Sequence, residues 1–403
     1  MSKVFTRSLA VSALALGLAS PAVAQRSVSG SAAGLGWTAT NRIVGQTGTG
    51  TQAAVPPGNP IYNATMPQKS GVAALIMQYE GGAFICTGSL ISATRIVTAA
   101  HCVSGGQNYG GLSGLKSVTA HFYAGNNPGQ PGNVYNPDVV TSNPSSPFGD
   151  AVNTVSIGAT GVKVHEDYTG EVIDQNDLAV IVLSQAAPDW ANVYDVDFST
   201  PLQGTGFNVA GYGGRSSLGG SVGADLGTGR LREGDNRYDF RLGDADFGGT
   251  FTDPGFFGAQ AENSWLSDFD NGLAVNDASC RLAVEGFGIA PSGKYCDLGV
   301  GAREVGVAGG DSGGPQFVNG KLSSVTSYGL TFYGLGDIDC FSPALCNLNS
   351  TFGEFSGYVP LSIHEDFING AIPEPQSWAL MILGFGMAGF ATRRARVAKV
   401  SFA

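Results

Sequence analysis

The chain has 403 residues, of which 43% are apolar and only 13% are charged, and 61 are glycine. Its formal net charge of −11 argues against nucleic acid as a partner, because phosphate binding needs a basic protein surface. The glycine content favours turns and short strands over long helices, since glycine costs conformational entropy inside a helix.

The N-terminus has the pattern of a secretory signal peptide. Lys3 and Arg7 precede an apolar stretch over 9–18, and small residues at 22–24 form a cleavage site. The apolar stretch is too short to cross a ~30 Å bilayer as a helix. We therefore expect residues 1–24 to be removed on export, which takes the mature chain to an oxidising compartment.

Short β-like runs, separated by Gly, Pro, Asn and Ser, extend from residue 43 to about 370. The clearest are Ala73–Gln78, Ile96–Thr98, Val118–Tyr123, Ala179–Leu183, Phe207–Ala210 and Lys321–Ser327. Strands that recur without helical periodicity between them favour a β-sandwich or β-barrel over a βαβ fold. One helix is predicted over 364–369, where Ser362 and Glu365 form a capping box and Gly370 is a stop signal.

Two stretches, 103–160 and 213–276, are rich in Gly, Asn, Asp and Ser. We expect both to be long surface loops and not separate domains, because neither has the apolar periodicity of a core. The second contains Asp235, Asp244 and Asp246, which are candidate ligands for calcium. A solvated acidic loop is the favoured interpretation, and no other cofactor is expected.

Six cysteines predict three disulfides in an oxidising compartment. The sequence by itself does not select one pairing. Three closely spaced pairs stand out: Cys86 with Cys102, Cys280 with Cys296, and Cys340 with Cys346. No cysteine–histidine cluster has the spacing of a zinc site, so no thiolate metal site is expected.

Three short segments carry residues suited to acyl transfer: Thr98–Cys102 (TAAHC), Asn176–Leu183 (NDLAVIVL) and Gly310–Pro315 (GDSGGP). A serine hydroxyl such as that of Ser312 is a weak nucleophile until an adjacent base takes its proton. It must also project from a tight turn, so that backbone N–H groups can meet the developing oxyanion. The glycines around Ser312 permit such a turn.

The base should be a neutral histidine whose tautomer is fixed by a buried carboxylate. The chain has four histidines, which are His101, His121, His165 and His364. Only His101 adjoins a cysteine of a predicted disulfide, which would hold its loop rigid.

Together the three segments resemble the catalytic segments of the chymotrypsin/trypsin family, in that family's order of His, Asp and Ser. Gly211–Gly213 (GYG) resembles the segment that opens the family's second barrel, and Ser327–Gly329 (SYG) resembles the strand that pairs with the substrate backbone. The resemblance covers about 43–370. It implies an all-β fold of two six-stranded antiparallel β-barrels with a short C-terminal helix, interrupted here by two long loop insertions. Cys86–Cys102 matches the disulfide that brackets the family's histidine, and Cys280–Cys296 resembles one before the serine loop.

The resemblance implies a secreted serine endopeptidase that acts on proteins or peptides. Ser312 would be the nucleophile, His101 the general base and then acid, and Asp177 the carboxylate that orients the histidine. The N–H groups of Gly310 and Ser312 would form the oxyanion hole. The hypothesis from another class is a catalytically silent family member that serves as a binding or matrix protein. An α/β-hydrolase-type esterase is disfavoured, because GDSGG is not the nucleophile elbow of that fold.

The sequence departs from the family around the primary specificity pocket. Gly306 stands six residues before Ser312, at the base of the pocket, where family members of basic specificity carry aspartate. Without a carboxylate the pocket cannot compensate a buried lysine or arginine, so an uncharged residue before the cleaved bond (P1) is expected. Ala308 replaces a cysteine, so the pocket disulfide is missing, and Cys340–Cys346 would tie that wall instead. The remaining substrate-binding residues would be Ser327, Tyr328 and Gly329.

Arg42 and Ile43 resemble the family's activation site. Residues 25–42 would then be a propeptide and 43–370 the protease domain. A cut after Arg42 would free the Ile43 amine to pair with Asp311 and order the oxyanion hole. Gln46 stands where the family has glycine, and the alternative is a strand in an unprocessed leader.

The C-terminal residues 371–403 resemble the PEP-CTERM sorting signal of Gram-negative bacteria. The tripeptide Pro373–Pro375 (PEP) precedes an apolar stretch over 378–391 and then arginines at 393, 394 and 396. The resemblance implies processing by an exosortase, contact with the membrane through the tail, and a protease domain in the periplasm, at the outer surface or in the extracellular matrix. A plain membrane anchor is the alternative.

Overall fold

The structure is a computed structural model that describes residues 27–40, 42–45, 59–80, 82–104, 114–124 and 154–371. The expected signal peptide and the sorting signal beyond residue 371 lie outside these residues.

Up to residue 183, the described residues form nine strands and one short helix. They are β1 (Val28–Ala32), β2 (Leu35–Thr40), β3 (Arg42–Gly45), β4 (Val72–Tyr79), β5 (Gly82–Ser92), β6 (Arg95–Thr98), α1 (Ala100–Ser104), β7 (Leu115–Tyr123), β8 (Thr154–Val164) and β9 (Ala179–Leu183). A 3-10 turn covers Pro60–Tyr62. Strands β4 to β9 close into a six-stranded antiparallel barrel in the order β4-β5-β6-β9-β8-β7. Closure leaves no strand edge of this barrel unpaired.

Strand β4 is apolar on both faces, and its alternating side chains show which face lines the barrel and which contacts the rest of the protein. Leu75 and Met77 point to the barrel interior, whereas Val72 and Ala74 contact a second apolar cluster shared with the C-terminal half. Successive side chains of a strand point to opposite faces, so a strand that is apolar on both faces is buried from both sides. The barrel therefore packs against the rest of the protein across a common core.

The C-terminal half forms ten further strands and two helices. They are β10 (Gly206–Gly211), β11 (Arg232–Arg237), β12 (Phe240–Arg241), β13 (Trp265–Asp268), α2 (Ala278–Arg281), β14 (Val305–Ala308), β15 (Pro315–Val318), β16 (Lys321–Phe332), β17 (Cys340–Ser342), β18 (Leu345–Cys346), β19 (Phe355–Pro360) and α3 (Glu365–Ala371). Short 3-10 turns cover Gly219–Ser221, Ala245–Phe247, Ala259–Ala261 and Leu361–Ile363, and a π-helical turn covers Leu282–Gly286.

The main sheet of this half differs from the predicted second six-stranded barrel. Its path runs β11-β10-β15-β16-β19-β13-β12, and β2 and β1 are added beside β16 to make nine strands. The two ends of the path, β11 and β12, are separated in the chain by only Tyr238 and Asp239, so the sheet curls back on itself. The observed architecture is one closed barrel and one half-barrel, extended by the N-terminal hairpin β1–β2.

The six clearest predicted strands are confirmed as β4, β6, β7, β9, β10 and β16, and the helix predicted over 364–369 is α3. All three predicted cysteine pairs are disulfides in the structure, namely Cys86–Cys102, Cys280–Cys296 and Cys340–Cys346. Helix α3 continues through Gly370, where the sequence predicted its end. Its buried Phe367 and Ile368 belong to the core between the two halves, which explains why it continues.

The prediction of two long surface loops is wrong where the structure describes them. The stretch 103–160 contains β7 and the start of β8, which complete the first barrel. The stretch 213–276 contains β11, β12 and β13, and its phenylalanines form part of a buried aromatic core with ring centroids 5–6 Å apart. Their irregular spacing hid this core, because the rings converge from turns and 3-10 segments and not from one periodic element.

Candidate active site

His101 and Asp177 meet at the edge of the first barrel. His101 lies on α1, directly after β6, and Asp177 lies just before β9, which pairs with β6. His101 Nδ1 lies 2.7 Å from Asp177 Oδ2, and the backbone N–H of His101 donates to Asp177 Oδ1 at 2.8 Å. Ser327 Oγ donates to Asp177 Oδ2 at 2.5 Å. The side chains of His101 and Asp177 are almost fully buried.

These contacts define the tautomer of His101. An ionised carboxylate only accepts hydrogen bonds, so Nδ1 must carry the proton that lies between His101 and Asp177. Nε2 then keeps its lone pair and can accept a proton. Of the other histidines, His121 bonds to Ser156 at 2.8 Å, and His165 and His364 pack against each other with ring centroids 4.6 Å apart. The structure therefore places only His101 beside Asp177.

Ser312 lies next to this pair. Cys102 Sγ, in the disulfide with Cys86, lies 3.8 Å from His101 Nε2 and 3.7 Å from the carbonyl oxygen of Ser312. Ser312 is 2% exposed. The histidine helix and the serine loop, which are more than 200 residues apart in the chain, thus come together around one disulfide.

Thr87 of β5 holds the serine loop against the first barrel. Its N–H donates to the Ser312 carbonyl at 2.9 Å, and its Oγ1 donates to the Gly310 carbonyl at 2.8 Å. The same Oγ1 accepts a hydrogen bond from Tyr212 N at 3.1 Å. These two bonds hold the peptide planes 310–311 and 312–313 of the loop. Among the described residues, none accepts a hydrogen bond from the N–H of Gly310 or Ser312.

Gly313 is required by the close approach of the two halves. Its φ is +79°, a conformation that side chains rarely adopt, and a Cβ there would lie 2.0 Å from Thr98 Oγ1. Thr98 Oγ1 in turn donates to the Thr87 carbonyl at 2.8 Å. The glycine after Ser312 therefore lets the loop touch the strands that carry His101.

Asp311 is enclosed without a countercharge among the described residues. It is 1% exposed, its Oδ1 accepts a hydrogen bond from Gly213 N at 2.9 Å, and its Oδ2 has no described partner. Burial raises the pKa of Asp311 well above its ordinary range. Strand β3, which contains Arg42 and Ile43, pairs with β14 just upstream of Asp311, with Ile43 opposite Val307.

The segment expected to form the primary pocket has an aromatic base. A Cβ on Gly306 would lie 3.0–3.1 Å from two ring atoms of Phe269, a fully buried residue just after β13. Phe269 packs on Phe352 with ring centroids 4.8 Å apart, and Ala308 completes this apolar cluster. The three nearest heavy atoms that a Cβ at position 306 would meet all belong to Phe269, and none of them is a carboxylate oxygen.

The three residues of the expected substrate strand have different surroundings. Ser327 is bonded to Asp177, and Tyr328 is fully buried with its hydroxyl 2.6 Å from Ser264 Oγ. Gly329 pairs with Thr40 of β2. The structure thus does not present Tyr328 to a ligand.

The three candidate calcium ligands do not converge on one site, and each pairs with a cationic side chain. Asp244 and Asp246 both bind Lys294, at 2.6 and 2.8 Å, and Asp235 binds Arg303 at 2.7 Å. Two other acidic groups in the described residues have oxygens within 4.8 Å of one another: Asp268 with Asp270 and Asp277, and Asp337 with Asp339 and Glu354. Oxygens this close together suit a bound cation, but acidic groups with the same spacing are also common in proteins that bind no cation there.

The fold and this constellation define a β-barrel protein with a serine, a histidine and an aspartate at the junction of its two halves. Residues 65–232 match the trypsin family model, a segment that includes His101 and Asp177 and ends before Ser312. Residues 371–396 match the PEP-CTERM protein-sorting motif. No curated protein matches the chain.

Both resemblances seen in the sequence are therefore confirmed. Residues 65–232 are similar to trypsin-like serine proteases, and the sorting signal indicates export in Gram-negative bacteria. In the part of the chain that the structure describes, no helix is long and apolar enough to cross a membrane.

Three features of the site were missed from the sequence. Thr87 lies in a run of buried residues with no polar pattern, and Phe269 lies in a stretch that was interpreted as a loop. Nothing in the residues Leu35–Thr40 indicated that they would pair with β16. All three depend on contacts between residues more than 30 positions apart.

Proposed function

We propose that the protein is a serine endopeptidase in which Ser312 is the nucleophile, His101 the general base and then acid, and Asp177 the residue that orients the histidine. The observation that carries the proposal is the placement of His101, with Nδ1 on Asp177, beside the Ser312 loop. In this arrangement His101 Nε2 takes the Ser312 proton as Oγ attacks a peptide carbonyl. The protonated His101 then gives that proton to the leaving amine, and water hydrolyses the acyl-enzyme by the same route in reverse.

The N–H groups of Gly310 and Ser312 form the oxyanion hole in this proposal. The carbonyls that share a peptide plane with these N–H groups are those of Gly309 and Asp311. They accept hydrogen bonds from Gly214 N at 3.0 Å and Gly314 N at 2.6 Å, which supports a fixed orientation of both N–H groups before substrate arrives. Donors that are already oriented cost no reorganisation when negative charge develops on the substrate oxygen.

We propose that a cut after Arg42 activates the enzyme. The buried carboxylate of Asp311 has only Gly213 N as a described partner, and an isolated buried charge is costly. The Ile43 amine released by the cut would supply the missing positive charge. Strand β3 already lies along β14, which leads to Asp311, and this supports a short path for the new terminus.

The enzyme would cleave after small uncharged residues. The Phe269 ring at Gly306 supports an apolar pocket with a raised base, in which a lysine or arginine side chain would have no countercharge. Such a pocket would not accept Arg42. The activating cut would therefore be made by a different protease.

The sorting signal supports a location outside the cytoplasm for the proposed activity. We propose that an exosortase processes the tail near Pro373–Pro375, that the apolar stretch 378–391 contacts the membrane before processing, and that the substrates are exported or matrix proteins. The proposed location and substrate class rest on the sorting motif. The proposed catalytic chemistry rests on the site residues and does not depend on that motif.

Covalent labelling tests the catalytic proposal. Protein cut after Arg42 by an arginine-specific protease should react with a fluorophosphonate at Ser312 and should hydrolyse casein, and Ser312→Ala should abolish both. The matched control is Ser323→Ala, because the buried Ser323 hydroxyl makes no hydrogen bond to another described residue. Peptide mapping of the label to another residue, or no labelling of the cut protein, would contradict the proposal and favour a catalytically silent binding protein.

A further inference from the structure

The substrate-binding edge of β16 is already occupied by another part of the chain. Strand β2 pairs antiparallel with β16 at Gly329–Phe332, with Thr40 opposite Gly329 and Trp37 opposite Phe332. The approach is close, since a Cβ on Gly329 would lie 2.8 Å from the Thr40 carbonyl. A peptide that pairs along the expected substrate strand Ser327–Gly329 needs the backbone groups of Gly329, which already pairs with Thr40. It therefore cannot bind there while β2 is in place.

The hairpin β1–β2 is anchored by side chains as well as by backbone pairing. Trp37 packs on Phe256 and Phe257, with ring centroids 6.1 and 4.8 Å apart. Tyr333 OH donates to the Trp37 carbonyl at 2.9 Å and lies 2.8 Å from Thr38 Oγ1. Both phenylalanines belong to the stretch 213–276, so this buried insertion serves as the docking surface for the hairpin.

The position of the hairpin in the chain connects this contact to activation. Thr40, which lies opposite Gly329, is two residues before Arg42, and β3 begins at Arg42. A cut between Arg42 and Ile43 therefore separates the hairpin from the protease domain two residues after Thr40, and it leaves Arg42, which pairs with Ala308 of β14, on the hairpin side. Before the cut, the covalent link keeps the hairpin at a high effective concentration, and after it the hairpin is a free ligand that can dissociate.

We propose that the hairpin Val28–Thr40 is an autoinhibitory segment that occupies the substrate edge of β16 and must leave after the cut at Arg42. The proposal rests on the proposed protease function. Activation then has two parts, which are the release of the Ile43 amine and the clearing of Gly329–Phe332. After the cut and before the hairpin dissociates, Trp37 is the residue that keeps the hairpin bound.

The test uses two substrates that differ in their need for the β16 edge. A single-residue ester needs only Ser312 and the primary pocket, whereas a peptide of six residues before the cut also needs β16. In the cut protein, assayed before the hairpin is removed, Trp37→Ala should raise the rate on the long peptide about 10-fold or more and leave the ester rate unchanged. Ser31→Ala, an exposed change in the same hairpin, should alter neither rate.

A synthetic peptide of residues 27–40 provides a second measurement that does not depend on the folding of a variant. It should inhibit the mature enzyme competitively on the long peptide, and the Trp37→Ala peptide should inhibit about 10-fold more weakly. If the ester is hydrolysed but neither the variant nor the peptide has an effect, the hairpin is a structural strand and the inference is wrong. If fluorophosphonate labels no form of the protein, the protease function fails first and the inference fails with it.

Discussion

At the scale of single residues, the carboxylate of Asp177 accepts three hydrogen bonds, of which only two come from the histidine that it orients. The N–H and Nδ1 of His101 account for two of them, and Ser327 Oγ is the third. A hydrogen bond to a charged group contributes more than a neutral one, about 1.5–3 kcal/mol. Ser327 therefore fixes the carboxylate in the plane that faces the histidine.

Removing that donor should affect turnover more than binding. We expect Ser327→Ala to lower kcat about 10-fold with little change in KM, because Asp177 keeps its two contacts to His101 but is less firmly oriented. Steady-state kinetics on a long peptide measures both constants. Ser323→Ala on the same strand is the control. An equal loss in both variants would mean that the effect comes from the strand and not from the contact with Asp177.

Phe269 is expected to set the size of the residue accepted before the cleaved bond. Phe269→Ala should raise kcat/KM for substrates with leucine or phenylalanine before the cleaved bond by roughly 10-fold or more, relative to substrates with alanine there. A pocket that is larger or smaller by one or two methylene groups changes kcat/KM by about this factor. Cleavage profiling on a peptide library measures the shift. Phe269→Leu, which keeps most of the volume, should shift it less.

The same contact limits how the pocket can be given basic specificity. Gly306→Asp alone would drive its Cβ against the Phe269 ring, so only the double variant Gly306→Asp/Phe269→Ala should gain cleavage after arginine. Arginine preference in the wild-type enzyme would show that another carboxylate reaches the pocket. Asp337 and Asp339 would then be the first to examine.

At the scale of elements, β5 connects the two halves through one threonine. Thr87 Oγ1 donates to the Gly310 carbonyl and accepts from Tyr212 N, and both contacts are buried. Thr87→Val keeps the shape and removes both hydrogen bonds, and the loss of a buried hydrogen bond that leaves a polar group unsatisfied costs about 1–3 kcal/mol. We expect a lower melting temperature and a lower kcat, since Gly310 and Ser312, the residues of the proposed oxyanion hole, lose their support.

Thermal unfolding and steady-state kinetics on the same preparations test this prediction. The matched control is Thr160→Val on β8, whose side chain is exposed and makes only a 3.4 Å contact with the Val182 carbonyl. A Thr87→Val protein that is destabilised but keeps wild-type kcat would separate Thr87 from catalysis.

At the scale of the whole molecule, a group of buried carboxylates makes stability depend on pH. Burial is the main cause that raises the pKa of Asp239 and Asp277 to about 7, of Glu304 to about 8 and of Asp270 to about 11, and it also raises the pKa of Asp268. In each case the folded protein holds a proton that the unfolded chain releases near pH 4. The folded state therefore binds more protons above pH 4, and its stability must fall as pH rises through the raised values.

Melting temperature measured with a chelator present should consequently be higher at pH 5 than at pH 8, by roughly 5 °C or more. The double variant Asp268→Asn/Asp270→Asn should flatten this dependence, since an amide does not titrate. Asp253→Asn, at an exposed position with no such surroundings, should leave it unchanged. A melting temperature that rises from pH 5 to pH 8 would show that the carboxylates are charged and compensated in the fold.

The sequence by itself determined the parts of this protein that depend on short segments. Strands such as β4 and β9 follow from local alternation and β-branched composition, and the cysteine pairs lie close in the chain. The three segments around His101, Asp177 and Ser312 were recognised because each needs particular neighbours within a few residues, such as the glycine at 313.

Only the tertiary structure decided the contacts that join distant segments. The aromatic core of 213–276, the Phe269 ring at Gly306 and the pairing of Thr40 with Gly329 each bring together residues with no common periodicity. Local composition and the observed burial disagree most for the stretch 213–276. Its abundant Gly, Asn and Asp indicate exposed turns, whereas a few dispersed phenylalanines drive its burial. Apolar area removed from water depends on where side chains converge in space, and a local pattern does not contain that information.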